Sequence, residues 1–264
     1  MPEQYVLLTD LSSMDGRITQ VVRDLERRIL CRFYKPKYHE EVMEYHRNSY
    51  NRDVVITNKR GESVKYNMGT ARGSGSRATS LFNTYLSAIM TYCSYRRSGR
   101  DREAAWDHLG VFGGDDGLTG DLAFDTYKQV AAEFGQKATG KTVVRGEVGV
   151  EFLSRWYTGQ IWHGTPQSNA DFGRALGNFH LSSLKAPQGV VAYHKARGYL
   201  VNDAATPILG DLCRAVLRNA RRCGVDRQFI SEADIDRITP WFARRELQLD
   251  SILVESTRTV PIQS

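Results

Sequence analysis

The chain has 264 residues, 41% hydrophobic and 25% charged, a balance that excludes a largely disordered chain and permits one large packed domain or two modest ones. A net charge of +6 and a pI near 9.1 favour polyanionic partners without requiring one. Cys31, Cys93, Cys213 and Cys223 show no Cys-x-x-Cys spacing, which points to free thiols rather than a disulfide framework or a zinc site. No apolar run reaches the roughly 20 residues a bilayer-crossing helix needs, and the first residues lack a signal peptide pattern, so the expectation is a soluble, intracellular chain.

In chain order, Tyr5–Thr9 predicts a buried strand that delivers Asp10 at its tip. Ile18, Val21, Val22, Leu25, Ile29 and Leu30 recur at helical spacing and predict a helix over 16–32, with a second over 40–49. Residues 53–57 and 62–66 flank Asn58-Lys-Arg-Gly61 as a hairpin. A glycine-rich loop over 69–75 leads into a long helix over 77–96. Two strands, 109–112 and around Leu118, flank a turn at Gly113-Gly-Asp-Asp-Gly117. A helix over 123–134, a loop over 135–142 and extended chain over 143–152 follow, and from Asp171 onward the pattern is mainly helical, punctuated by Pro187, Pro207 and Pro240.

Three signals carry chemistry. Asp10 and Asp15 lie five positions apart just past a strand, a pair that taken alone is better read as a strand-end aspartate followed by a helix N-cap. Ser74-Gly75 turns into a helix on which Thr79 and Asn83, four apart, share a face. Asp115 and Asp116 follow Gly114 between apolar strands, where two adjacent carboxylates repel unless a cation relieves them.

Taken in this order, the set resembles motifs A, B and C of viral RNA-dependent RNA polymerases, particularly nodavirus-like enzymes of positive-strand RNA viruses. The helix and loop over 123–142 resemble motif D, and Phe152-Leu-Ser-Arg155 resembles motif E, so the recognisable motifs span residues 5–157. The resemblance implies an α+β palm with an antiparallel sheet over 1–157, a small fingers-like insertion at 35–68, and a mainly helical thumb over 158–264. The rest of the fingers would lie outside this chain, in the same polymerase. It implies Asp10, Asp115 and Asp116 as ligands of Mg²⁺ (or Mn²⁺), and Asp15, Ser74, Gly75, Thr79 and Asn83 around the incoming ribose. Lys141, or else Lys137, would protonate the leaving pyrophosphate; Lys141 is preferred because it should lie at a turn. Arg155 would touch the RNA backbone or sit in a salt bridge, and Lys185, Lys195 and Arg197 could line the duplex exit. The implied partners are an RNA template, the nascent strand and ribonucleoside triphosphates, in membrane-associated replication complexes of the host cytoplasm, with any membrane anchor outside this chain.

Two rival functions share these residues. Gly135-Gln-Lys-Ala-Thr-Gly140-Lys141-Thr142 matches the P-loop pattern of nucleotide hydrolases, but that pattern works only between a strand and a helix, and here the predicted order is reversed. A non-catalytic RNA-binding module on a palm-like sheet would use the basic residues and the 13 tyrosines, yet it leaves the placement of the carboxylates unexplained.

Overall fold

The computed structural model describes residues 3–76, 78–182, 184, 186–225, 231 and 233–235. The chain divides into two compact units, one built from residues 1–153 and 159–165, the other from 154–158 and the residues from 166 onward.

The first unit is organised on a four-stranded antiparallel sheet. Strand β1 (Tyr5–Leu11) buries Leu7, Thr9 and Leu11 at every second position and so turns Asp10 to the opposite, exposed side. After β1 come a single 3-10 turn (Met14–Arg17), helix α1 (Gln20–Phe33), α2 (His39–Arg47), and a hairpin of β2 (Asp53–Thr57) with β3 (Ser63–Asn67). Helix α3 (Thr79–Arg97) and the short α4 (Arg102–Asp107) lead to β4 (Val111–Gly113) and β5 (Asp116–Gly120). Helix α5 (Phe124–Glu133), β6 (Ala138–Val144) and the two-residue β7 (Glu151–Phe152) follow. In the sheet the order is β4-β5-β1-β6.

One side of this sheet is covered by helices. Leu7 and Leu11 of β1 pack with Leu86, Met90 and Tyr95 of α3 and with Tyr127, Val130 and Ala131 of α5 in a single core cluster. Each fully buried leucine or valine there contributes roughly 1.5–3 kcal/mol. The Tyr95 hydroxyl donates to the Gly120 carbonyl, which ties α3 to β5. With one side sealed this way, the other side of β1 and β5 is left for chemistry.

In the second unit, β8 (Arg155–Tyr157) pairs antiparallel with β9 (Ser168–Ala170). Helices α6 (Phe172–Phe179), α7 (Gln188–Asp203) and α8 (Leu209–Arg222) enclose Ala175, Phe179, Ala196, Leu209 and Cys213. Asp171 caps α6 by accepting from the Arg174 N–H at 2.7 Å.

Three expectations need correction. Strand β6 starts at Ala138, so the predicted loop over 135–142 is mostly strand, and Lys141 pairs opposite Leu8 in mid-strand instead of lying at a turn. The same fact removes the P-loop reading: Gly140-Lys141-Thr142 runs inside a strand and opens no helix. Helix α4 was not foreseen; it is too short to show periodicity, although Asp101 caps it through the Ala104 N–H at 2.8 Å. Finally, Asp15 lies in the 3-10 turn, and α1 itself is capped by Thr19.

Candidate active site

Two tight elements set the acidic cluster. Thr9 pairs with Gly117 and Gly113 with Asp116, so one step further along β1 Asp10 comes abreast of Asp116 on the open side of the sheet. Between β4 and β5 the chain reverses at Gly114, whose φ of +72° suits a residue without Cβ. Helix α3 pins that turn from below. Gly114 N–H donates to Thr84 Oγ1 at 2.9 Å, and the Ser87 hydroxyl donates to the Gly114 carbonyl at 2.8 Å. As a result Asp10, Asp115 and Asp116 offer carboxylate oxygens that all lie within 4.8 Å of one another.

Three carboxylates so close repel one another strongly, and a divalent cation with oxygen ligands is the chemical species that relieves them. Asp10 and Asp115 are exposed and Asp116 is half-buried, so the cluster is open to a phosphate-bearing ligand. The donor set fits a hard cation that takes a few carboxylates and completes its shell from substrate and water.

A second polar group forms around Asp15. Asn83 Nδ2 donates to Asp15 Oδ1 at 2.9 Å, and the Ser74 hydroxyl donates to Asp15 Oδ2 at 2.5 Å. The loop that carries Ser74 is closed by Gly75, with φ of +86°, and by Thr79, whose hydroxyl reaches the Gly73 carbonyl at 3.3 Å and the Ser76 hydroxyl at 2.8 Å. Residues that the sequence places 68 positions apart, Asp15 and Asn83, are thus in direct contact.

Comparison with known proteins decides the family. The profile of the family described as viral RNA-dependent RNA polymerase matches residues 1–170, well over half of the chain. The chain belongs to the viral RNA-dependent RNA polymerases. Among curated relatives of this polymerase chain are the RNA-directed RNA polymerases of Greasy grouper nervous necrosis virus, 31% identical over 86% of this chain and 23% of the relative, and of Flock house virus, 26% identical over 81% and 21%. The motif-level resemblance to nodavirus-like enzymes therefore holds. The polymerase of a human picobirnavirus shares the fold with a TM-score of 0.65 at 12% identity, over 93% of this chain and 51% of that one. The chain spans between a fifth and a quarter of the length of the curated relatives.

The remaining predicted residues of this polymerase chain fall elsewhere. Lys137 is exposed in the turn before β6, where its carbonyl accepts from the Ser12 N–H at 2.9 Å. Lys141 is also exposed; like Lys137 it lies two residues along the chain from Thr139, the partner of Asp10, but on the opposite side, roughly 7 Å along the strand. Arg155 sits in a salt bridge, one of the two readings that the sequence left open for it. Its guanidinium donates to both carboxylate oxygens of Asp203, at 3.0 and 3.1 Å, and to Ser168, and only 12% of its side chain is exposed. A guanidinium engaged on that many protein acceptors orders β8, β9 and α7 and has little left for a phosphate. The Lys195 ammonium is likewise turned onto the Asn178 and Leu181 carbonyls, while Arg197 lies over the Tyr193 ring. Arg77, Lys185 and Pro240 lie outside the described residues.

Sequence reasoning missed Thr84 and Ser87, which hold the Gly114 turn. A signal was present. Ser87 lies one turn of α3 past Asn83 and Thr84 directly follows Asn83, two hydroxyls beside a residue already singled out, although Thr91 and Ser94 are buried on the same helix.

Proposed function

We propose that this chain is the palm and thumb of a viral replicase that joins ribonucleotides on an RNA template. On this reading residues 1–157 are the palm, residues 35–68 a fingers-like insertion and residues 158–264 the thumb. The remaining fingers belong to the same, longer polymerase, in keeping with the small share of the relatives that the chain covers. The observation that carries the reading is the convergence of Asp10, Asp115 and Asp116 within 4.8 Å. A purely RNA-binding sheet has no use for such a concentration of negative charge.

In the reaction the 3′-oxygen of the nascent strand attacks the α-phosphorus of the incoming triphosphate, the α–β bridging bond breaks, and pyrophosphate leaves. Two divalent cations, Mg²⁺ or alternatively Mn²⁺, would stabilise the charge on the attacking and leaving oxygens. Asp10 and Asp115 hold the cation site and Asp116 assists. The open side of β1 and β5 gives the triphosphate access, and the Thr84 and Ser87 contacts to Gly114 keep the paired aspartates in place. Asp15 and Asn83, with Ser74 and the Gly75 loop, present hydrogen-bonding groups to the ribose 2′-hydroxyl, which separates RNA from DNA precursors. A polar site of this kind rejects a nucleotide lacking that hydroxyl far better than an apolar pocket would. Lys137, at the Asp10 end of the sheet, and Lys141 are the groups that could pass a proton to the departing pyrophosphate.

Among the described residues no helix is long and apolar enough to cross a membrane. Association with membrane-bound replication complexes in the host cytoplasm would rest on parts of the polymerase outside these residues. Nucleotide incorporation by the full-length polymerase tests the reading. Asp115→Ala should abolish it while leaving the thermal melt unchanged, and activity within a few-fold of the parent would reject the metal role.

A further inference from the structure

Arg23, Glu26, His46 and Arg72 are all charged or titratable, and all are at most 6% exposed. They come from three separate segments, α1, α2 and the loop before α3. At their centre, Glu26 Oε2 accepts from Arg23 at 2.8 Å and faces His46 Nε2 at 2.8 Å, while Oε1 accepts from Arg72 Nη2 at 2.5 Å. Arg23 also donates to the Thr70 and Ala71 carbonyls, each at 3.0 Å, and the Tyr50 ring lies 4.5 Å from its guanidinium. Taking several charges out of water is costly, and apolar residues of similar size often serve stability equally well. Stability alone is therefore a weak explanation for this cluster.

Its position offers a better one. Arg72 Nε donates to Asn83 Oδ1 at 2.9 Å, and Arg72 N–H donates to the Asp15 carbonyl at 2.8 Å. An asparagine amide carries an acceptor at one end and two donors at the other, and only a partner that discriminates between them fixes which way it faces. A guanidinium can only donate. Arg72 therefore claims the Asn83 oxygen and turns the Asn83 NH₂ group toward Asp15. Glu26 in turn holds Arg72 by its far nitrogen.

We propose that Arg72, held by Glu26, is a positioning residue for ribose selection, acting through the orientation of Asn83 and the backbone of Asp15. The proposal rests on reading Asp15 and Asn83 as the ribose-facing pair. Arg72→Lys keeps a positive charge beside Glu26, but one ammonium cannot span both Glu26 and Asn83 as the guanidinium fork does.

The test is single-nucleotide incorporation by the full-length polymerase, read as the ratio of kcat/KM for a ribonucleoside triphosphate to that for its 2′-deoxy analogue. Arg72→Lys should lower this ratio about tenfold, the loss of one charge-assisted hydrogen bond, mainly through a higher KM for the ribonucleotide. Asn83→Ala should lower it too, and adding Arg72→Lys to Asn83→Ala should lower it no further. If Arg72→Lys unfolds the protein, the paired variant Arg72→Met with Glu26→Gln, which removes one charge of each sign, serves the same comparison. An unchanged ratio, an equal loss on both nucleotides, or full additivity with Asn83→Ala overturns the positioning role while leaving the ribose pair intact. An unchanged ratio in Asn83→Ala removes the ribose pair itself, and this inference with it.

Discussion

The paired aspartates owe their position to two hydroxyls of α3 that grip the Gly114 backbone, and Thr84→Val isolates that dependence. Valine matches threonine in shape and in β-branching, so packing of α3 is preserved and only the acceptor for the Gly114 N–H, at 2.9 Å, is lost. That N–H is partly buried, and leaving it without a partner costs about 1–2 kcal/mol. At about 2–4 °C per kcal/mol for a chain of this size, the melting temperature should fall by about 2–8 °C. If part of that energy reappears as misplacement of Asp115 and Asp116 in the transition state, incorporation should slow roughly tenfold for each 1.4 kcal/mol. The assay pairs thermal denaturation of the 264-residue chain with single-turnover incorporation by the full-length polymerase. Thr84→Ser, which restores a hydroxyl, should recover most of both losses. A Thr84→Val enzyme with unaltered turnover and melting would refute the idea that α3 holds the turn.

Gly114→Ala tests the same turn from the backbone: nothing lies within 4 Å of the added Cβ, so the positive φ is the sole obstacle. Its expected cost is about 1 kcal/mol with a measurable drop in turnover, and a neutral result would mean that the turn relaxes freely. Acid stability probes the buried cluster. Burial pushes the Glu26 carboxyl up, but the His46 hydrogen bond and the Arg72 and Arg23 guanidiniums outweigh it and hold the carboxyl at about 2, below its ordinary value of 4.5. A depressed carboxylate stabilises the fold fully above the unfolded value and loses that contribution as pH falls through the folded one. Stability on the order of 3 kcal/mol should therefore disappear between pH 4.5 and about 2. Glu26→Gln should flatten the denaturation profile across that window, and an unchanged acid limb would contradict the assignment.

How much of this was legible beforehand follows from what local pattern encodes. β1 and the β4–β5 turn were readable because short apolar runs ending in aspartates leave few alternatives, and the contact of Asp15 with Asn83 followed from the motif resemblance. β6 was not readable: Gly140 and Lys141 are poor strand formers, and it is pairing with β1 along seven residues that makes them a strand. On α1 the sequence reading turned Val21 inward, yet Val21 is 65% exposed while Arg23 and Glu26 are buried. Helical periodicity counts a buried Arg23–Glu26 pair as solvent-facing, since the groups that complete its network, Arg72, His46 and the Thr70 and Ala71 carbonyls, lie on other segments. For Arg155 the salt bridge was one of two open readings, but its partner could not be named because Asp203 is 48 residues away.

The central claim is that Asp10, Asp115 and Asp116 form a divalent-cation site, and Mn²⁺ binding followed by electron paramagnetic resonance addresses it without relying on turnover. In the full-length polymerase with a ribonucleoside triphosphate present, the parent should bind Mn²⁺, and Asp10→Asn combined with Asp115→Asn should weaken that binding at least tenfold, about 1.4 kcal/mol. Equal Mn²⁺ affinity in the parent and the double variant, with both folded, would contradict the site and the mechanism built on it.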